Sequence, residues 1–373
     1  MTESSIHRHF QHLDDPRLNR RKKYPLINLI FIAFCAVLCG AEDWVSITRF
    51  GKARFNWLSQ FLDLTNGIPS HDTFNRVFTI LDTSVFVECF IGWAAHLAEK
   101  AKKTVAIDGK SLRATKNKVS NLGPIHIVNV WCCENQLALG QQIVSGKSNE
   151  ITAIPLLLDL LDLGGATVTI DAMGCQKEIS EKIREKNADY IFSLKGNHSN
   201  LHDDVRLYFK SLHQKKLGAE VFHRYQVEKD HGRIEERDCW SVNLPKGLHS
   251  DGWKDLASIV MVRSKQTNTE KPSEEDRYFI TSLKAQNVNG IAQSIREHWQ
   301  LENSLHWRLD VSFNEDQWRS KLGNAAANIA VFNKMALNLL KKETTAKVGI
   351  KNKRLMAGWD EMYLTKVIMC LKN

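Results

Sequence analysis

The stretch Thr104–Arg113, TVAIDGKSLR, decides how the rest of the chain is interpreted. Residues 104–107 alternate toward an apolar end, which predicts a short buried strand that finishes at Asp108, with Gly109 and Lys110 turning the chain away. A carboxylate at the edge of an apolar core is costly unless a cation pairs with it. Taken alone, the Asp-Gly pair is more typical of an aspartate that caps a turn.

Two later carboxylates favour a functional site over a turn. Asp171 follows a second apolar run, Ala166–Ile170, and Glu302 lies in a long amphipathic stretch. If these strand-end aspartates and the helical glutamate converge, they make an all-oxygen site suited to Mg²⁺ or Mn²⁺. For Glu302 by itself, a solvent-facing helix residue is the ordinary alternative.

The amphipathic stretch 288–309 predicts one helix with an inner stripe of Ile291, Ile295, Trp299 and Leu305 or Leu309. In it, His298 and His306 lie one turn before and after Glu302. Three ligands along a straight helix diverge, so we do not predict a zinc site here.

Composition favours a polyanionic partner. The 373 residues include 51 Lys and Arg against 42 Asp and Glu, a net charge of +9, and nucleic acid is the default partner for such an excess. The eight cysteines form no CxxC pair, which favours reduced thiols in a cytoplasmic protein.

Nothing in the sequence predicts a membrane segment. The apolar run Leu29–Ala41 is shorter than the roughly 20 residues that a span needs, so we expect a buried helix. Residues 1–13 lack the apolar centre of a signal peptide.

The first 98 residues predict an all-helical domain that binds DNA. A basic arm opens it, with Arg8, Arg17, Arg20, Arg21, Lys22 and Lys23. Ser70 then caps a polar-fronted helix that carries Arg76, and with the preceding turn this segment resembles a helix-turn-helix. A plain helical hairpin and a merely solvated arm are the structural alternatives.

From Thr104 the pattern becomes strands alternating with helices. Three strands, a helix, a strand, a helix and a strand is the order of an RNase H-like fold, with a mixed five-stranded sheet flanked by helices. The first and fourth strands are neighbours in that arrangement, so Asp108 and Asp171 should meet at adjacent strand ends. Residues 201–284 then predict a β-rich insertion that projects away from the core, before helical periodicity resumes at Val288.

Several ordered motifs carry a resemblance to a known family. They are Ala106–Lys110 (AIDGK), Lys147–Pro155 (KSNEITAIP), Ile170–Gln176 (IDAMGCQ), Leu194–Asn197 (LKGN), His231–Glu235 (HGRIE) and Arg296–Asp316 (REHWQLENSLHWRLDVSFNED). With these, the chain resembles a DDE-type insertion-sequence transposase, in the group that contains the H-repeat-associated proteins of Rhs elements.

The resemblance implies an organisation and a chemistry. It implies a helical DNA-binding domain (1–98), an RNase H-like core (104–200) with a β-rich insertion (201–284), core helices (285–345) and a basic tail (346–373). The family's carboxylate triad maps onto Asp108, Asp171 and Glu302, which would hold Mg²⁺ or Mn²⁺. The expected partner is double-stranded DNA, both transposon ends and target, bound by a homodimer. The rivals are an RNase H-like nuclease without strand transfer and an inactive DNA-binding relic.

The resemblance also suggests residues that contact DNA. Relatives place a tyrosine and an arginine before the glutamate and a lysine after it, where this chain has Ile295, His298 and Leu309. Arg296 and Arg308, each one residue away, could substitute.

Further candidates are basic or polar residues near the aspartates. Lys110 and Lys195 could neutralise phosphate charge, although either could be a surface lysine. Asn197 and His198 are loop candidates for contact with the DNA backbone.

Overall fold

The computed structural model describes residues 4–19, 22–98, 103–116, 123–144, 149–214, 218–230, 233–267, 272–318, 320 and 322–369. Arg20 and Arg21 of the basic arm, and the first two residues of the motifs Lys147–Pro155 and His231–Glu235, lie outside the described residues. The chain divides into two compact units. The first unit comprises residues 1–101, 109–149 and 302–373, and the second unit comprises residues 102–108 and 150–301.

The first unit is mainly helical. Its helices before the sheet are α1 (Ser5–Phe10), α2 (Leu26–Leu38), α3 (Trp44–Ala53), α4 (Phe55–Leu58), α5 (His71–Ile80) and α6 (Thr83–Leu97). The second unit contains α7 (Glu150–Leu160), α8 (Lys177–Glu185), α9 (Ser199–His213) and α10 (Val288–Leu301). The first unit then adds α11 (Trp307–Phe313), α12 (Ala325–Lys342), α13 (Ile350–Trp359) and α14 (Glu361–Met369).

An aromatic cluster fills the core of the first unit. Phe332 of α12 is fully buried and contacts Phe34, Phe78 and Phe86, with ring centroids 6.1, 5.5 and 5.3 Å away. Helix α2 is buried over almost its whole surface because nearly every residue in it is apolar. The core of the N-terminal helices therefore includes a side chain more than 200 residues further along the chain.

Among the described residues, no single helix is long and apolar enough to cross a membrane. The pair α5 and α6, bent by 92°, passes the same test by length and composition only.

Nine strands form one mixed sheet. They are β1 (Thr104–Leu112), β2 (Ile125–Cys132), β3 (Leu137–Val144), β4 (Thr167–Ile170), β5 (Asp189–Leu194), β6 (Phe222–Asp230), β7 (Arg233–Asn243), β8 (Ser258–Thr267) and β9 (Ser273–Thr281). Their order is β3-β2-β1-β4-β5-β9-β8-β7-β6. The hairpin of β2 and β3 is antiparallel, as expected, whereas β1, β4 and β5 run parallel.

Strand β1 is longer than the sequence predicted. It continues through Asp108 to Leu112, so the turn expected at Gly109-Lys110 is wrong. The reason is the inward position of two side chains beyond Asp108. Leu112 packs in the core, and Lys110 pairs with buried or half-buried carboxylates of the same unit.

The segment 201–284 contributes strands β6 to β9 to the same sheet. Strand β9 pairs antiparallel with β5, with Ile191 opposite Thr281, and β8, β7 and β6 extend the sheet beyond it. The five-stranded expectation is therefore too small, because the open edge of β5 accepts further strands. Helix α9 was not expected in this segment, although Leu201, Val205 and Phe209 recur at helical spacing and are buried.

The long C-terminal helix is interrupted. After α10 ends at Leu301, residues Glu302–His306 form a π-helical turn, and α11 follows. Single π turns within α-helices are frequent at functional sites. The expected inner stripe is right for Ile291, Ile295, Leu305 and Leu309, but Trp299 is 48% exposed.

Candidate active site

Asp108 and Asp171 directly follow paired residues of two neighbouring strands. Strand β1 pairs with β4 in parallel register up to Ile107 opposite Ile170, and each aspartate is the next residue. Neighbouring strands are about 4.8 Å apart, so the two backbones at these positions are adjacent. Both residues are partly buried. The expected pairing of the two strands is confirmed, but only Asp171 lies at a strand end, because β1 continues past Asp108.

Hydrogen bonds fix the loop after β4. The Oδ1 atom of Asp171 accepts from the backbone N–H of Met173 at 3.0 Å and of Gly174 at 3.2 Å. A side chain at Gly174 would collide with Ile170 and would lie 2.8 Å from Ile154, so only glycine fits this turn. The Asp171 carboxylate is thereby held in one orientation.

The predicted loop residues Asn197 and His198 brace this same loop. Asn197 Nδ2 donates to the carbonyl of Ala172 at 2.8 Å, and the His198 ring nitrogen Nε2 lies 2.6 Å from the carbonyl of Cys175. Asn197 is otherwise exposed. A contact of either residue with DNA stays a prediction.

Burial raises the pKa of the Asp171 carboxyl, and the nearby Glu150 carboxylate raises it further, while Lys195 acts in the opposite direction. Glu150 stands in the first turn of α7 and is only 7% exposed. Sequence reasoning did not select Glu150, because an acidic residue in a first helical turn is ordinarily explained by the helix dipole.

Glu302 opens the π turn and is held by His306. The two side chains meet at 3.0 Å between Glu302 Oε2 and His306 Nδ1. This hydrogen bond lowers the pKa of Glu302, and the electrostatic effects of His306 and Lys110 lower it further. Glu302 is therefore an anion at neutral pH.

One group of potential metal ligands was found among the described residues. Its members in the first unit are Glu302 and His306, whose ligand atoms lie within 4.8 Å of each other. Asp171 is not a member of this group. The sequence analysis rejected His306 as a zinc ligand because ligands along a straight helix diverge. The helix is not straight here, because residues 302–306 form a π turn.

Lys110 belongs to a buried ion network in the first unit. Its ammonium contacts Asp310 and lies 3.4 Å from Glu315 Oε2. Glu315 lies in turn 3.9 Å from the buried Lys334 and accepts a hydrogen bond from Asn333 at 3.2 Å. The interpretation of Lys110 as a surface lysine is wrong, because its side chain is 8% exposed. Its contact with DNA stays a prediction.

Two further candidates make contacts within the second unit. Arg296 pairs with Glu228 of β6 at 2.8 Å, and Glu228 also pairs with Arg237 at 2.9 Å. Together these arginines lower the pKa of Glu228 to about 2. His298 Nδ1 lies 3.0 Å from the hydroxyl of Thr169 in β4. Their suggested contacts with DNA stay predictions.

The remaining candidates are more accessible. Arg76 on α5 and Lys195 after β5 are exposed. The guanidinium of Arg308 lies 4.8 Å from the ring centre of Trp307, which is 48% exposed. These positions leave each cationic group open to an anionic partner.

Comparisons with known proteins give the family. The family model described as Transposase DDE domain matches residues 99–339, and the model described as DDE_Tnp_1-associated matches residues 7–94. Putative transposase YncI of Escherichia coli O157:H7 is 39% identical and covers 95% of this chain and 92% of that protein. H repeat-associated putative transposase YhhI of Escherichia coli K12 is 37% identical and covers 96% of each.

A solved structure of the piggyBac transposase synaptic complex with hairpin DNA was also matched. It is 12% identical with a TM-score of 0.41, over 98% of this chain and 77% of that one. The family assignment rests on the sequence comparisons alone. The chain belongs to the DDE transposase family, among relatives named H repeat-associated transposases, and it is an enzyme of DNA transposition.

Proposed function

We propose that this transposase cleaves DNA at the ends of its own element and transfers the cut strands to target DNA, using the carboxylates of Asp108, Asp171 and Glu302. The single observation that carries the proposal is the parallel pairing of β1 with β4 up to Ile107 opposite Ile170, the residues directly before Asp108 and Asp171.

The fold we propose for this core is RNase H-like. Its support is the strand order β3-β2-β1-β4-β5, with an antiparallel hairpin leading into parallel neighbours. Asp108 lies within β1 and Asp171 directly follows the neighbouring parallel strand β4, so both side chains are available for a common site. The domain limits 1–98, 104–200, 201–284, 285–345 and 346–373 remain part of this proposal.

Family membership implies a divalent metal, and the donor chemistry fits one. The carboxylates of Asp108, Asp171 and Glu302 are hard, anionic ligands, which favour Mg²⁺ or Mn²⁺. The pKa of Glu302 is lowered, so its carboxylate is negatively charged at neutral pH. When bound, such ions activate the attacking oxygen and stabilise the leaving oxygen of a phosphodiester.

The protein's own groups would prepare this site in separate ways. The backbone N–H groups of Met173 and Gly174 orient Asp171. The exposed ammonium of Lys195 acts on the same carboxylate and is placed to attract phosphate.

DNA is the partner of a transposase, and we propose a homodimer that brings two element ends together on target DNA. The net charge of +9 supports this partner. The candidate DNA contacts are Arg76, Lys110, Lys195, Asn197, Arg296, His298 and Arg308. A cytoplasmic site of action, at the nucleoid, is expected from this substrate.

The test uses full-length protein and an oligonucleotide that carries the element's end. We expect Asp108→Asn, Asp171→Asn and Glu302→Gln each to abolish Mg²⁺-dependent cleavage and strand transfer while DNA binding persists, because an amide keeps the shape but loses the charge. Glu297→Gln, which lies on α10, is the matched control and should retain activity. Cleavage without joining by the wild type would favour the nuclease, and binding alone would favour the relic.

A further inference from the structure

The His306 ring connects Glu302 to strand β2. Its Nδ1 atom lies 3.0 Å from Glu302 Oε2, and its Nε2 atom lies 3.4 Å from the side-chain nitrogen of Asn129. The ring is 4% exposed and Asn129 is 1% exposed. A buried imidazole thus bridges a helical carboxylate and a strand amide in the first unit.

The chemistry of these atoms assigns the hydrogen on one ring nitrogen. The side-chain nitrogen of Asn129 can only donate hydrogen bonds, so the Nε2 atom of His306, 3.4 Å away, is the acceptor. His306 Nδ1 therefore carries a hydrogen and donates it to Glu302. A protonated Nδ1 has no lone pair for a metal, and the other nitrogen faces Asn129.

We propose that His306 is a positioning residue for Glu302 and not itself a metal ligand. The proposal rests on the proposed role of Glu302 in holding the cation. The Glu302 side chain is 67% exposed whereas that of His306 is 5% exposed. An exposed glutamate samples several rotamers, and fixing one of them on metal binding costs conformational entropy. Because the buried ring already restricts the Glu302 side chain, less conformational entropy is lost when a cation binds.

Asn129 extends the positioning into the sheet. Its amide nitrogen faces His306 and also lies 3.4 Å from the carbonyl of Ile127 on the same strand. Strand β2 thus positions Asn129, Asn129 orients His306, and His306 orients Glu302 toward the cation. Groups that orient a ligand in this way typically contribute about 10–100-fold in metal affinity.

The decisive experiment measures Mn²⁺ binding to full-length protein without DNA, by electron paramagnetic resonance titration. We expect His306→Ala to weaken Mn²⁺ binding about 10–100-fold. His306→Asn should recover most of the affinity, because its amide can donate from near the Nδ1 position. His306→Gln, whose amide reaches toward the Nε2 position, should recover little. His213→Asn, on α9, is the control for the exchange itself.

A spectroscopic readout separates positioning from ligation. Pulsed electron paramagnetic resonance of the bound Mn²⁺ should show no ¹⁴N coupling from a coordinated imidazole in the wild type. Such a coupling, if lost in His306→Asn, would overturn the proposal. Affinity for Mg²⁺ and Mn²⁺ should fall in the same proportion in His306→Ala, because an all-oxygen ligand set remains.

Two further outcomes distinguish this proposal from the proposed function. If Glu302→Gln leaves Mn²⁺ affinity unchanged, the assignment of Glu302 as a ligand is wrong. If Glu302→Gln abolishes binding while His306→Ala binds as tightly as wild type, only the positioning role fails. Circular dichroism of each variant checks folding. Should His306→Ala not fold, equal Mn²⁺ affinities of the Asn and Gln variants would still contradict the proposal.

Discussion

At the scale of single residues, the proposed role of Asp171 in metal binding predicts a limit on the reaction at acid pH. Burial and the Glu150 carboxylate raise its pKa. Since metal binding needs the ionised form, cleavage should fail at a higher pH than an ordinary aspartate would impose. Glu150→Gln removes a like charge, lowers the Asp171 pKa and should move the acid limb to lower pH.

The measurement for Asp171 is the cleavage rate at saturating Mg²⁺ across the acid range. The exposed Glu178→Gln on α8 is the matched control and should leave the profile unchanged. An acid limb that does not move in Glu150→Gln would mean that another group controls it.

The buried pair of Glu315 and Lys334 makes a second residue-scale prediction, on stability. Burial lowers the pKa of Lys334 to about 8, opposed by Glu315. Glu315→Gln leaves that ammonium without its carboxylate, and losing one partner of a buried pair costs about 3–5 kcal/mol. We expect that loss in the free energy of unfolding, measured by urea denaturation.

A double variant checks the cause of that loss. Glu315→Gln with Lys334→Met removes both charges and should recover part of the stability. Asp316 pairs with the exposed Arg113. Asp316→Asn should therefore lower the free energy of unfolding by less than about 1 kcal/mol. If the double variant is less stable than Glu315→Gln, the pair is not the reason.

At the scale of elements, helix α12 completes the core of the N-terminal helices. Phe332→Ala removes the ring that contacts Phe34, Phe78 and Phe86, and a cavity of this kind costs about 3–5 kcal/mol. We expect a clearly lower melting temperature by circular dichroism. Phe55→Ala, at a 39% exposed position, is the control. Similar melting of both variants would show that α12 is dispensable to this core.

The elements also show what a sequence pattern can and cannot predict. Local periodicity sufficed for α5, for the hairpin of β2 and β3, and for the strand before Asp171. It failed at β1, because the strand continues past Asp108. In that extension Lys110 contacts Asp310 and Glu315, which are 200 or more residues away along the chain. It failed also at the π turn, since helical spacing on either side is normal.

In the candidate site, too, some features could be predicted from the sequence and others depend on tertiary contacts. Adjacent strands bring Asp108 and Asp171 together, and topology alone predicted this. The contact of Glu302 with His306 follows the i,i+4 spacing visible in the sequence. The contact of His306 with Asn129 and the effect of Glu150 on Asp171 depend on the tertiary structure. The pairing of β9 with β5 is likewise a tertiary choice, because an open strand edge accepts any partner of suitable length.

At the scale of the whole molecule, the net charge of +9 should make binding to DNA strongly salt-dependent. Each phosphate neutralised by Lys or Arg contributes about −0.9 to the slope of log affinity against log salt. Full-length protein titrated with DNA at several salt concentrations, by fluorescence anisotropy, gives that slope. A slope near zero would exclude an electrostatic mode of binding.

Arg76 tests whether α5 reads sequence within that general attraction. It is exposed and lies five residues after His71, where the helix begins. If the helix enters the major groove, Arg76→Ala should cost about 1–3 kcal/mol on the element's end and relax specificity there, with little effect on unrelated DNA. Lys351→Ala, an exposed cation on α13, is the matched control. Equal losses on both DNAs would instead place Arg76 on phosphate, and no loss on either would leave α5 as part of a plain helical hairpin.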